Sequence, residues 1–330
     1  MKKNLSAFFL TAGLLVSLPM SDDVLAAKST ETEPVILSEV AHSIFYAPQY
    51  VAYEQGYFLD EGLDVTITTA FGADKVMAAL LSDSAQLGLM GCESTIYAYN
   101  EGATDTVLNF AQLTQRAGNF LLAREPLPDF QWENLKGHIV LGGRKGGMPE
   151  MVFEYILKNH NIDPVHDLTI EQNIDFGSTG AAFAGGLGDF TVEFEPSATQ
   201  LEKEGVGYVV ASLGVDSGYV PYTSYCCKSS YLNTHSDLVQ KFTNALQRGV
   251  DYVLTHTPEE TASVIAPQFA ENDLDTITNI VNRYLTQETW KASLLFDSDH
   301  FDTLQNILES AGELACRVPY EALITTDYVR

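Results

Sequence analysis

Along this chain, apolar and polar positions exchange between two periods. Leu63, Val65 and Ile67 alternate with Asp64, Thr66 and Thr68, the period-2 spacing of a strand buried on one face. Upstream, Pro48 opens a stretch that closes at Gly56. Proline suits the first helical turn, where its missing N–H has no partner, and glycine suits the left-handed position that ends a helix. With the apolar Val35, Ile36 and Leu37 ahead of it and a turn at Gly62 behind, the stretch reads as a strand, helix, strand unit. The exchange continues, with strand patterns over 35–40, 64–69, 87–90 and 106–113 alternating with helix patterns over 48–55, 73–82 and 93–100. A second series follows, with strands over 138–141, 168–172, 190–193 and 208–212 and helices over 149–159, 179–185 and 196–203.

Alternating strands and helices predict a mostly parallel sheet flanked by helices, and two series predict two such lobes, an α/β clamshell. The length of 330 residues suits two lobes of roughly 100 to 200 residues each. Segments 119–123 and 222–226 are short, strand-like and close to Pro126 and Pro221, so they are the expected crossings. Beyond Lys228 the pattern is helical, over 238–254, 258–269, 274–285 and 302–311. Leu238, Phe242, Leu246 and Val250 share one face there, so these helices are expected to pack back on the first lobe. The expected organisation is a leader over 1–26, a discontinuous first lobe over 27–122 plus 224–330, and a second lobe over 123–223.

The run from Ala47 to Val65, with its Pro-led helix, Gly56-Tyr57-Phe58 and Glu61-Gly62-Leu63, resembles the first helix of periplasmic solute-binding proteins of ABC importers for nitrate, sulfonates and thiamine-pyrimidine precursors, the thiamine pyrimidine synthase-like family. Leu87-Gly88-Leu89-Met90-Gly91, Asn134-Leu135-Lys136-Gly137 and Phe194-Glu195-Pro196 look like further parts of the same pattern. The resemblance implies a two-lobed (type II) clamshell, a small-molecule solute, and the membrane subunits of an ABC permease as partners. Members that synthesise the thiamine pyrimidine use their own histidine, a pyridoxal cofactor, iron and a Cys-rich motif. This chain has instead an isolated Cys226-Cys227 pair and no convincing cofactor lysine, so a binding protein without a cofactor is expected rather than an enzyme.

Lys2 and Lys3, an apolar run from Leu5 to Leu18 and the Val24-Leu25-Ala26 end read as a secretory signal peptide cleaved after Ala26. No cysteine stands at that point, so a soluble periplasmic form without a lipid anchor is expected. The net charge of -26 is scattered rather than gathered in a tail, which disfavours nucleic acid and suits a solvated, monomeric surface. Cys92, Cys226, Cys227 and Cys316 do not have zinc-site spacing. In an oxidising compartment one of the adjacent pair could bond to Cys92 or Cys316, or all four could be small buried groups.

In open parallel sheets, ligands sit beyond the carboxyl ends of the strands, against helix N-termini. That rule selects the loops 41–46, 70–74 and 91–95 in the first series and 142–148, 175–179 and 193–196 in the second. The candidate ligand contacts are therefore His42, Phe45, Tyr46, Phe71, Cys92, Glu93 and Ser94 on one side. On the other they are Arg144, Lys145, Gly146, Gly147, Met148, Phe176, Glu193 and Glu195. The loop from Gly142 to Gly147 allows close backbone approach, but Gly146 follows Lys145 where a magnesium-binding phosphate loop needs Ser or Thr. Arg144 and Lys145 favour a sulfonate, nitrate or phosphate. Tyr46, Phe71 and Glu195 favour a neutral or cationic aromatic amine, and the wording around Gly142 and Phe194 leans toward the pyrimidine-precursor branch. No catalytic constellation or metal site is expected, and a solute sensor on the same scaffold stays open.

Overall fold

The computed structural model describes residues 32–175 and 177–329, so the signal-peptide reading and Phe176 lie outside the described residues. Within the compact unit that begins at Thr32 there are ten strands: β1 (Glu33–Glu39), β2 (Leu63–Thr69), β3 (Leu87–Met90), β4 (Val107–Thr114), β5 (Asn119–Ala123), β6 (Ile139–Leu141), β7 (Thr169–Glu171), β8 (Phe190–Phe194), β9 (Tyr208–Ser212) and β10 (Thr223–Lys228). They form two five-stranded sheets, ordered β2-β1-β3-β10-β4 and β7-β6-β8-β5-β9. In the first, Val35 pairs with Val65 and Leu37 with both Ile67 and Leu87, all in parallel register. The odd strand is β10, antiparallel to β3 and β4. In the second sheet the odd strand is β5, antiparallel to β8 and β9. In each sheet the reversed strand is the first one the chain makes after crossing from the other, so the crossings are built into the sheets. The chain is thus a two-lobed α/β protein.

The strand and helix spacings match these elements to within one or two residues over both series. One difference follows the first helix, Ala47–Glu54. Gly56 takes the left-handed conformation (φ 70°), as its position implied, but Tyr57–Asp60 then makes a further helical turn. Phe58 is buried there, stacked on Phe242 at 4.9 Å, and Arg248 lies over the Tyr57 ring and pairs with Asp60. Tertiary packing holds this turn, and so short a segment shows no periodicity of its own.

The long helix Ser236–Thr255 packs on Ala47–Glu54 so closely that a Cβ at Gly249 would stand 2.1 Å from the Pro48 carbonyl oxygen. The later helices do not stay with the first sheet. From Leu274–Thr286, Arg283 pairs with Glu195 and Glu202, and the Tyr284 hydroxyl donates to the Gly118 carbonyl at 3.0 Å. Ser298–Ala311 packs on Met148–Asn159, beside the second sheet. Their apolar faces were legible, but the partner of each face was not.

All four cysteines are unbonded. Successive strand residues face opposite sides, so Cys226 packs with Val76 and Leu80 while Cys227 joins the main core. Cys92 is fully buried, and Cys316 is exposed beside Asn100. No helix among the described residues is long and apolar enough to cross a membrane.

Candidate functional site

A cavity of about 280 Å³ opens where the carboxyl ends of both sets of parallel strands face each other. From the first sheet its wall takes Val40 to Ser43, Phe45 and Tyr46 after β1, Phe71 to Ala73 after β2, and Gly91 and Glu93 after β3. From the second it takes Gly143, Arg144 and Gly147 to Pro149 after β6, Ile174, Gly177 and Thr179 after β7, and the end of β8 through Ser197. The two crossings close the back, where the Tyr222 hydroxyl donates to Asn119 Oδ1 at 2.7 Å.

The first wall is held by a buried carboxylate beneath it. Glu39, at the end of β1, accepts from Gln49 Nε2, the Tyr50 hydroxyl and the Thr69 hydroxyl at 2.8 to 2.9 Å, and pairs with His42 Nδ1 at 3.0 Å. The other ring nitrogen of His42 meets the Gln268 carbonyl at 2.8 Å. The hydrogen bond to Glu39 raises the His42 pKa despite partial burial. His42 thus lines the cavity with both ring nitrogens already engaged. Ser43 caps the turn Ile44–Tyr46 and donates across the cleft to the Glu195 carbonyl at 2.8 Å, tying the walls together. Phe45 contacts Phe194, Tyr222 and Tyr284, and a Cβ at Gly118 would stand 2.6 Å from its ring, so only glycine fits that crossing. Phe71, at the rim, is 59% exposed with φ 55°, in the left-handed region.

Three carboxyls sit in the wall, all nearly inaccessible, and their surroundings differ. Glu195 accepts from Arg283 Nη1 at 2.5 Å and from the Thr199 backbone and hydroxyl at 2.9 and 3.0 Å, so it braces the helices Ser197–Lys203 and Leu274–Thr286. Glu193 accepts from the Thr191 and Ser197 hydroxyls at 2.7 and 2.9 Å. Burial raises both pKa values, against Arg283 for Glu195 and against the hydroxyls for Glu193. Glu93, at the start of helix Glu93–Asn100, is 4% exposed, and desolvation pushes its pKa up to about 8. Its Oε2 has no partner.

The basic loop does not present itself as an anion cradle. Gly143 and Gly146 take left-handed conformations (φ 93° and 76°), and the Gly146 N–H is capped by Glu150 Oε2 at 3.1 Å. Arg144 reaches the cavity but pairs with Asp74 across the mouth at 3.1 Å. Lys145 points away toward Glu313 at 3.8 Å.

Of the candidate contacts, His42, Phe45, Tyr46, Phe71, Glu93, Arg144, Gly147, Met148, Glu193 and Glu195 line this cavity. Cys92 lies behind the wall, bonded to Thr95, and Ser94, Lys145 and Gly146 also fall outside the lining. A strand-end loop delivers only some of its side chains inward. Asn119, Tyr222 and Thr179 line the cavity and were not singled out. The crossings were recognised from sequence, and their place between the lobes was the signal that could have added Asn119 and Tyr222.

Two α/β lobes around a cavity at the strand ends define the architecture of the solute-binding proteins of ABC-type importers. The chain belongs to the NMT1/THI5-like family, whose sequence model matches residues 44–261. It is 44% identical over 303 residues to the Bacillus subtilis (strain 168) protein named "Putative binding protein YtlA", covering 92% of this chain and 91% of that protein. In fold it is similar to the alkanesulfonate-binding protein SsuA of Xanthomonas axonopodis bound to MOPS, with TM-score 0.72, 16% identity and coverage of 90% of this chain and 99% of that one. It is also similar to the nitrate-binding protein NrtA of Synechocystis, with TM-score 0.61, 16% identity and coverage of 76% and 70%.

Proposed function

We propose that this protein is the extracytoplasmic solute-binding component of an ABC importer, and that its solute is a small neutral or cationic heteroaromatic of the aminopyrimidine type. The observation that carries the ligand class is the charge of the wall. Glu93 and Glu193 are buried in a lining rich in Phe45, Tyr46, Phe194 and Tyr222, and the lining cation Arg144 is paired with Asp74 at the mouth. A buried wall with carboxyls and, among the described residues, no unpaired lining arginine or lysine penalises a sulfonate or nitrate and suits flat rings with polar edges. The solute is held between the lobe built on the first sheet and the lobe built on the second. Contacts from both walls favour the closed state, which the monomer presents to the permease.

A binding role rather than synthesis is supported by His42, whose ring nitrogens are fixed by Glu39 and Gln268, and by Cys226 and Cys227, which are buried in β10. The second reading is an anion solute, favoured by the fold neighbours and by Arg144. A thermal-shift screen of the chain from Ala27 onward separates the two, using aminopyrimidines against taurine, nitrate and bicarbonate. A ligand at 100-fold its Kd should add about 2.7 kcal/mol. A shift with taurine or nitrate alone would overturn the heteroaromatic reading.

A further inference from the structure

Among the described residues, six buried side-chain polar atoms have no hydrogen-bond partner, and two of them line the cavity: Glu93 Oε2 and Asn119 Nδ2. Glu93 is 4% exposed and Asn119 1%. Unpartnered buried polar groups are costly, and a cluster of them in a native structure calls for an explanation. Other polar groups of the cavity wall are engaged: Glu193 by hydroxyls, Glu195 by Arg283, and Asn119 Oδ1 by Tyr222. Gly91 makes room for the Glu93 carboxyl, because a Cβ there would stand 2.1 Å from Oε2.

Resting on the heteroaromatic reading, we infer that Glu93 and Asn119 are the polar anchors of the solute. Glu93 Oε2 shares one proton with a basic ring nitrogen, and Asn119 Nδ2 donates to a second acceptor of the same ligand. A diazine ring supplies both groups; an anion supplies neither a basic nitrogen nor relief for a buried carboxyl. The groups facing Glu93 leave the proton to this pair. Tyr46 from the first-lobe turn, Tyr222 at the return crossing, and Tyr97 and Cys92 on its own segment all have pKa values raised by burial and stay neutral. Across the cavity, Glu193 is held by hydroxyls and Arg144 by Asp74.

The proton balance fixes the pH response. Below about pH 8 the carboxyl of the free protein already carries the proton that the complex needs. Above it, binding a neutral ligand takes up one proton from solvent, and affinity falls about tenfold per pH unit.

The test is calorimetric titration of the chain from Ala27 with 4-amino-2-methylpyrimidine at pH 7.5 and 9.5. The proteins are the wild type and two near-isosteres, Glu93→Gln and Asn119→Asp, the latter keeping the acceptor for Tyr222. Each variant should lose about tenfold or more in affinity while melting cooperatively, and Glu93→Gln should also lose the pH dependence. Wild-type affinity in both variants overturns the anchor assignment and leaves the ligand class standing. Equal wild-type affinity at the two pH values overturns the shared proton. If the wild type binds no aminopyrimidine, both the assignment and the reading beneath it fall.

Discussion

Glu93 and Glu193 stand on opposite walls of the same cavity, each 4% exposed, and differ in what surrounds them. Glu193 sits at the end of a strand among hydroxyls that satisfy it; Glu93 sits at a helix start with Oε2 unanswered. Equal burial therefore has two meanings. A carboxyl whose lone pairs are filled by its own protein is part of the frame, and one left open is a place for something else. Glu195, next along the chain from Phe194, is the extreme of the first kind.

The comparison is broken most forcefully at Glu195. Replacing it with alanine leaves the half-buried Arg283 with Glu202 alone and removes the brace on helix Ser197–Lys203. Denaturant unfolding should show a loss of about 3 kcal/mol. A change under about 1 kcal/mol would mean that Glu195 is not part of the frame. Glu193→Ala should cost about 2 kcal/mol, because it leaves the Thr191 and Ser197 hydroxyls without their acceptor.

Glu93→Gln should behave in the opposite way. The raised pKa means that the folded state holds a proton the unfolded chain releases. The wild type therefore loses stability as pH rises from the ordinary carboxylate range through about 8. Thermal melts of Glu93→Gln across that window should be flatter and, at pH 8, no lower than those of the wild type. A variant less stable than wild type at pH 8 would place Glu93 with the frame. The smallest effect belongs to the mouth. Arg144 and Asp74 are both largely exposed, so Arg144→Ala should shift stability by under about 1 kcal/mol and leave aminopyrimidine affinity within about threefold. A tenfold loss would return weight to an anion.

Much of the frame could be read from the chain itself. Period-2 runs such as Leu63 to Thr68, with Pro48 and Gly56 marking a helix, placed the elements because those signals are local. The strand-end rule found ten lining residues for the same reason, since it needs only the order of strands and helices. What could not be read was reciprocal. Whether Arg144 meets a ligand or Asp74, whether Glu195 is open or committed to Arg283, and that Tyr284 reaches Gly118 all depend on residues dozens to more than a hundred positions away. The basic loop looked like an anion site in sequence because Glu150, which caps it, is silent until its helix is folded.

The most direct measurement is calorimetric titration of the wild-type protein from Ala27 onward with 4-amino-2-methylpyrimidine and, separately, with taurine and nitrate at pH 7.5. The account predicts saturable one-to-one binding of the aminopyrimidine and no heat of binding from either anion. Saturable binding of taurine or nitrate, abolished by Arg144→Ala, with no response to the aminopyrimidine would contradict it.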